Sequence, residues 1–127
     1  MRAMTVTVVV SLALVVAIGG GCGWYSREIS EQLQMKAEEI AAAAEESAWE
    51  EAQERIRAAE AEWRRQSDRL ALWVNHADLE EVDLCFSRLR TAIWEENRYF
   101  SLLYAAELNE ALELIYFRDA FSLKNIL

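Results

Sequence analysis

Apolar residues run without a charged residue from Ala3 to Ser26, and apolar positions then recur at helical spacing along the rest of the chain. As a helix, the 24 residues of the first segment would extend about 36 Å, which exceeds the ~30 Å hydrocarbon core of a bilayer. Arg2 precedes this segment, and Trp24 with Tyr25 lie at its end, where an interfacial aromatic belt is expected. The pattern predicts a signal-anchor or transmembrane helix within residues 1–26.

Processing of this segment has alternatives to a retained anchor. Gly19 and Gly21 are small enough for cleavage by a signal peptidase, which would release a secreted domain, and Cys22 would be the acylated residue of a lipoprotein. Lipoproteins usually carry leucine at the position of Gly19, so we expect a retained anchor, with lipidation at Cys22 and cleavage as alternatives. Gly19 and Gly23 also form a G-x-x-x-G pair through which two membrane helices could approach closely.

Charge is distributed unevenly after the apolar segment. Between Glu28 and Glu62 there are eleven acidic and three basic residues, a balance of −8. The positive-inside rule then favours a cytoplasmic N-terminus and an extracytoplasmic domain in the cell membrane. A helix this acidic repels nucleic acid and anionic lipid headgroups, so no nucleic-acid partner is predicted. The predicted partners are the bilayer, through residues 3–26, and another membrane protein or a second copy of the chain.

Residues 27–127 have the composition of an all-α domain. All four glycines lie between Gly19 and Gly23, and the chain has no proline. A sheet fold would need turn residues at many points, whereas helices can end on capping side chains alone. We therefore predict that the transmembrane helix continues into one acidic, antiparallel bundle of about four helices.

Capping residues divide this bundle. Ser47 and Asp78 each precede a glutamate by three residues, which predicts capping boxes at the starts of the second and third helices, and Asn97 predicts the next turn. Phe121 to Leu127 are apolar and are expected to pack back onto the bundle. The apolar positions in the four helices are Ile29, Leu33, Ile40 and Ala44; Trp49, Ala52, Ile56, Ala59, Trp63, Leu70 and Trp73; Leu79, Val82, Phe86, Leu89 and Ile93; and Phe100, Tyr104, Leu108, Ala111 and Ile115.

A set of ordered motifs resembles a known family. The motifs are Trp49 and Trp63 around an Ala/Glu-rich helix, Trp73 followed by His76–Val82, Ser87–Leu89, and the ending Leu123–Leu127. Together they resemble domain-of-unknown-function family 4363, whose members are short bacterial proteins with an N-terminal membrane helix and a helical remainder. The resemblance covers nearly the whole chain and implies fold and placement, but the family brings no assigned activity. One departure is Asn75, where the family often has an acidic residue before its histidine.

His76 is the single histidine, and Asp78, Glu80 and Asp83 lie close to it in sequence. This is the one constellation that could bind a divalent cation, although zinc would require more nitrogen or sulfur ligands. The acidic residues are also explained as caps or as charges that favour a helix N-terminus. We interpret the segment as a structural corner, with no metal or cofactor. An extracytoplasmic cation or pH sensor centred on His76 is the alternative.

Catalytic chemistry is poorly represented. The serines of the domain lie in helical or tail segments without a second histidine to act as base, and no glycine loop could cradle a phosphate. We therefore predict no enzymatic activity and no small-molecule substrate. Cys85 lies on an apolar helix face and is interpreted as a core residue.

Two aromatic residues are the candidates for partner contact. Trp94, near the end of the third helix, could form an exposed patch with Tyr99, and such patches often anchor interfaces. The favoured function is a non-enzymatic protein-interaction module at the outer face of the cytoplasmic membrane. A cation or pH sensor and a self-associating structural protein are the alternatives.

Overall fold

A computed structural model describes the backbone of residues 1–126 and the side chains of residues 1–116. Residues 1–126 form four α-helices, and no strand occurs in this range. The helices are α1 (Arg2–Glu45), α2 (Trp49–Leu70), α3 (His76–Trp94) and α4 (Arg98–Ile126). The connections between them are three to five residues long, so consecutive helices run antiparallel. The predicted all-α fold, with about four helices, is confirmed.

Helix α1 is continuous over 44 residues, a length of about 66 Å. Its first part is exposed, and within the described residues it is the helix long and apolar enough to cross a membrane; none of its most apolar 18-residue window is buried. Its second part buries a stripe at 3–4 spacing that begins at Ser26 and ends at Ala44. The prediction that the N-terminal helix continues into the bundle is confirmed, and packing begins within two residues of the predicted division.

The core lies between the four helices. Helix α1 packs on α2 and α4, and α3 packs on the same two helices. The most extensive contact joins α1 to α4, so the first and last helices close the bundle, while the α2–α3 contact is the least extensive of the four. The side chains with at most 2% exposure include Leu33 and Ile40 of α1, Ile56 and Trp63 of α2, Val82, Leu89 and Ile93 of α3, and Leu108 and Leu112 of α4.

The end of α1 differs from the prediction. Ser47 has a φ of 57°; its N–H donates to the carbonyl of Ala44 (3.0 Å), and the N–H of Ala48 donates to the carbonyl of Ala43 (2.9 Å). This pair of hydrogen bonds is a Schellman motif, which satisfies the last carbonyls of a helix. Helix α2 starts at Trp49 without a side-chain cap. The predicted capping box at Ser47 is wrong, because Ser47 terminates α1 and does not initiate α2.

The end of α3 repeats this geometry. Glu96 has a φ of 54° and donates to the carbonyl of Ile93, while the N–H of Asn97 donates to the carbonyl of Ala92, both at 3.0 Å. The side-chain oxygen of Asn97 then accepts a hydrogen bond from the N–H of Phe100 (3.0 Å). The turn predicted at Asn97 is confirmed, with Asn97 as the cap of α4.

The predicted cap of α3 is displaced. The side chain of Asn75 accepts a hydrogen bond from the N–H of Ala77 at 2.9 Å, and α3 begins at His76. The prediction of Asp78 as the N-cap is wrong, because Asn75 caps the helix one turn earlier. Asp78 lies in the first turn of α3, where its negative charge interacts favourably with the positive end of the helix dipole.

The backbone of α4 continues as a helix to Ile126. The predicted packing of Phe121–Leu127 onto the bundle depends on side chains outside the described residues.

Candidate functional site

Contacts with α1 define two ends of the bundle. The indole N–H of Trp73 donates to Ser26 Oγ at 2.8 Å, the hydroxyl of Tyr25 donates to Gln66 Oε1, and the rings of Tyr25 and Trp73 meet edge to face at 5.8 Å. The α2–α3 connection therefore lies beside the start of the packed part of α1, at what we call the span-proximal end. The α1–α2 and α3–α4 turns lie at the opposite, span-distal end.

The two aromatic residues assigned to an interfacial belt have different surroundings. Trp24 is 66% exposed, as expected for a side chain that faces lipid headgroups. Tyr25 is partly buried against the core and contacts Trp73 and Gln66. Trp24 therefore fits the predicted belt, whereas Tyr25 belongs to the bundle.

The His76 corner lies at the span-proximal end, at the start of α3. His76 Nε2 is 3.1 Å from Glu80 Oε1, and these side chains are 83% and 67% exposed. Asp83 instead accepts a 2.6 Å hydrogen bond from the indole of Trp63. No group of three or more His, Cys, Asp or Glu residues that could hold a metal ion occurs within the described part of the chain. The four weak candidates, His76, Asp78, Glu80 and Asp83, are thus not assembled into one metal site.

The two cysteines lie in different environments. Cys85 is 2% exposed in the core, and its burial, assisted by the charge of Glu81, raises the pKa of the thiol to about 11. This confirms Cys85 as a core residue, since a protonated, enclosed thiol is a poor nucleophile. Cys22 is a free, partly exposed cysteine on α1, and its lipidation stays a prediction.

The two aromatic residues predicted for partner contact, at the span-distal end, have different ring neighbours. Trp94 is 41% exposed, and the guanidinium of Arg57 lies 5.0 Å above its ring, a cation–π contact that joins α3 to α2. Tyr99 is 71% exposed and meets Phe100 edge to face at 5.3 Å. Phe100 in turn stacks on Tyr104 at 5.7 Å. Tyr99 therefore begins an aromatic ladder along α4.

Phe100 is predicted on the apolar face of α4, but it is 42% exposed, and Leu103 on the next turn is 40% exposed. The core stripe of α4 instead begins at Ser101, which is fully buried, and continues through Ala105 and Leu108. Small residues at positions 101 and 105 were the available sequence signal, since a closely packed helix requires them. The predicted stripe is therefore one residue too early at Phe100 and Tyr104, whereas its later members Leu108, Ala111 and Ile115 are buried as predicted.

The ladder borders a groove between α3 and α4, which we call the distal groove. Its volume is ≈ 320 Å³, and its lining residues are Ser87, Arg88, Thr91, Ala92, Glu95, Phe100 and Tyr104. Leu84, one turn before Arg88 on the same side of α3, is 43% exposed. The distal groove thus combines exposed apolar side chains with charged residues at its edges.

A second groove of ≈ 560 Å³ separates α2 from α3. Its central charged group is Glu60, a buried residue whose Oε2 accepts hydrogen bonds from Arg90 at 2.7 Å and from Arg64 at 3.4 Å. The Trp63–Asp83 hydrogen bond also crosses this groove. Because these charged groups bind one another, they link α2 to α3 where the helices are least closely packed.

The molecule is an antiparallel four-helix bundle whose first helix extends beyond the bundle as a long apolar segment. Residues 25–126 match the model of the family described as domain of unknown function (DUF4363), and the chain belongs to this family. The match begins at Tyr25, where the packed part of α1 also begins. Comparisons with curated proteins and with solved structures gave no match. The family resemblance is confirmed, and it assigns no activity.

Proposed function

We propose that this chain is a non-enzymatic docking module, anchored in the cytoplasmic membrane by the first part of α1 and presenting its bundle at the outer face. The apolar residues 3–24, exposed on a continuous helix, support the anchor. Arg2, directly before these residues, supports the orientation, since basic residues are retained on the cytoplasmic side. The partner in this proposal is another integral membrane protein.

The observation that carries the docking role is the distal groove. Tyr99, Phe100 and Leu103 remain 40% to 71% exposed although the same helix buries smaller residues at positions 101 and 105. Exposed aromatic residues clustered beside a concave surface are typical of binding hot spots. A helix that needed these side chains only for its own core would direct them inward.

Charge at the groove indicates the chemistry of the partner. Glu95 is the acidic residue of the groove lining and Arg88 is the basic one, in a chain whose net charge is −9. An amphipathic helix could place apolar side chains against Phe100 and a basic residue against Glu95. We therefore propose a basic, amphipathic helical segment as the occupant.

Site-specific photocrosslinking in intact cells tests this proposal. A benzophenone amino acid replaces Leu103, an exposed residue next to the groove-lining Tyr104, and in a matched control it replaces Ala58, an exposed residue of α2. We expect one discrete adduct from position 103 and none from position 58. Peptide mapping should locate the adduct to a basic, amphipathic segment of a membrane protein.

A second variant makes the result specific. Phe100→Ala removes a half-exposed ring and should abolish the adduct from position 103 while the bundle remains folded by circular dichroism. Equal labelling from positions 58 and 103, or an adduct unaffected by Phe100→Ala, would contradict the docking role. An adduct with a second copy of the chain would instead support the self-associating alternative.

The cation or pH sensor has weaker support. Its central pair, His76 and Glu80, is mostly exposed, and exposed ion pairs contribute about 1 kcal/mol or less. A pair this exposed is poorly coupled to the packing of the bundle.

A further inference from the structure

The α2–α3 connection carries the most exposed large apolar side chain of residues 25–116. This residue is Leu72, which is 83% exposed, while its neighbours Leu70 and Val74 are buried at 1% and 8%. Trp73, between them, is fixed to α1 through Ser26. The connection therefore holds Leu72 away from the core at a defined position on the span-proximal end.

The distance of this connection from the hydrocarbon core follows from the number of α1 residues between the membrane-crossing segment and Ser26. About 20 helical residues cross a hydrocarbon core, and counted from Ala3 that length ends at Cys22. Ser26 lies four residues further along α1, a rise of about 6 Å. The headgroup layer on each side of a bilayer is ~5–8 Å thick. Trp73, bonded to Ser26, is thus at headgroup level, and Leu72 precedes it in the chain.

The longest run of glutamates lies away from this connection. Residues 38–54 carry seven glutamates and no basic residue, and they occupy the span-distal parts of α1 and α2. The span-proximal half of α2 contains Arg64, Arg65 and Arg69, and Arg69 lies in its last turn. Acidic residues such as Asp68 and Asp78 lie at the same end, so its charge is mixed, whereas the run of glutamates is held at the far end from the lipid.

We infer that the α2–α3 connection is a second membrane contact, in which Leu72, together with Trp24, enters the headgroup layer of the leaflet on the bundle's side. Trp24 is 66% exposed and belongs to a residue type that favours this layer. The inference rests on the proposed membrane anchor. It adds that the bundle rests on lipid at two points and has a fixed tilt, instead of extending freely into the solvent.

Depth-dependent fluorescence quenching tests this contact in the full chain. The protein is reconstituted in vesicles of phosphatidylcholine and phosphatidylglycerol that contain lipids brominated either near the carbonyl group or near the chain end. In a Cys22→Ser background, a bimane dye is attached to Leu72→Cys, to Glu96→Cys at the span-distal turn, or to Leu12→Cys in the apolar segment. Cys85 is buried and is left unlabelled in the folded protein. Circular dichroism confirms that each variant is folded.

We expect the dye at position 12 to be quenched by lipids brominated at the chain end. The dye at position 72 should be quenched several-fold more than the dye at position 96 by lipids brominated near the carbonyl group, with an emission shift to shorter wavelength. Equal, weak quenching at positions 72 and 96, with strong quenching at position 12, would overturn the second contact and leave the anchor intact. Absence of quenching at position 12 would overturn the anchor and, with it, this inference.

Discussion

The two halves of α1 share one unbroken backbone, but their side chains have different surroundings. In the apolar half, residues 2–24, large side chains such as Leu12 and Val16 are 61% and 53% exposed. In the bundle half, residues 25–45, Leu33 and Ile40 are buried to 1% and 0%. The first half is apolar on all sides, whereas the second confines apolar residues to one stripe and places glutamates outside it. Helical geometry alone does not distinguish the two environments; the arrangement of side chains around the axis does.

The largest expected effect contrasts one leucine from each half. Leu33→Ala should lower the free energy of unfolding by about 2–5 kcal/mol, because it removes buried contacts and leaves a cavity. Leu12→Ala should change it by less than about 0.5 kcal/mol, since the side chain of residue 12 is 61% exposed. Urea unfolding in mild detergent, followed by tryptophan fluorescence, measures both values. Equal effects would contradict the division of α1 into two environments.

A charge introduced into the apolar half should affect membrane insertion and leave the stability of the bundle unchanged. Leu12→Asp should weaken membrane insertion by about 3 kcal/mol without changing the urea midpoint of the bundle. The fraction of protein that resists carbonate extraction measures insertion, with Leu12→Ile as the matched control. If Leu12→Asp also lowered the urea midpoint, the apolar half would have a role in folding.

The junction between the halves should be sensitive to one hydroxyl group. Ser26→Ala removes the acceptor of the Trp73 indole and should destabilise the bundle by about 0.5–1.5 kcal/mol. Ser11→Ala, a matched substitution in the apolar half, should leave the stability unchanged. A shift of the tryptophan emission with Ser26→Ala would report the freed indole. An effect of Ser11→Ala as large as that of Ser26→Ala would mean that the apolar half contributes to the fold.

The smallest expected effect concerns the thiols, one in each environment. Cys22 should react with a membrane-permeant maleimide in the folded protein, and Cys85 should react only on unfolding. The raised pKa of Cys85, about 11 against an ordinary 9.0, means that the folded state holds this proton more tightly than the unfolded chain. Its stabilising contribution is therefore complete below pH 9 and decreases as the pH rises towards 11. The difference in alkaline stability between the native chain and Cys85→Ala measures it, and identical pH profiles would contradict it.

Local sequence patterns are sufficient to predict the number of helices, but they are insufficient to predict where each helix begins and ends. Charge, glycine and proline content predicted the continuous α1 and the number of helices, because both depend on neighbouring residues. The helix stops at Ser47 and Glu96 were not predictable as left-handed positions, since glycine is the residue that usually signals them. Asn75 was overlooked as a cap because Asp78, followed by Glu81, matched a stronger motif.

Contacts between distant residues explain the remaining differences. Glu60 pairs with Arg64 of the same helix at 3.4 Å, at the i,i+4 spacing that a helical pattern reveals. Its burial depends on Arg90, thirty residues away on α3, which no helical periodicity reveals. Likewise the guanidinium of Arg57 on α2 lies above the ring of Trp94 on α3, a contact that the pattern of neither helix predicts. Partners of this kind depend on which helices become neighbours, and the sequence pattern within one helix contains no such information.

The unbroken backbone of α1 also fixes the rotation of the bundle about the helix axis relative to the apolar half. Each residue of an α-helix advances the chain by ~1.5 Å and rotates it by about 100°, and α1 has no interruption between the apolar half and Tyr25. The distal groove therefore has a fixed angular position around the α1 axis relative to Gly19 and Gly23. A membrane partner that contacts both the groove and these glycines must bind on the side of the molecule that this angle defines. Inserting a single residue after Gly23 would rotate the bundle by about 100° and present the partner with a different face, although every residue of both halves would be retained.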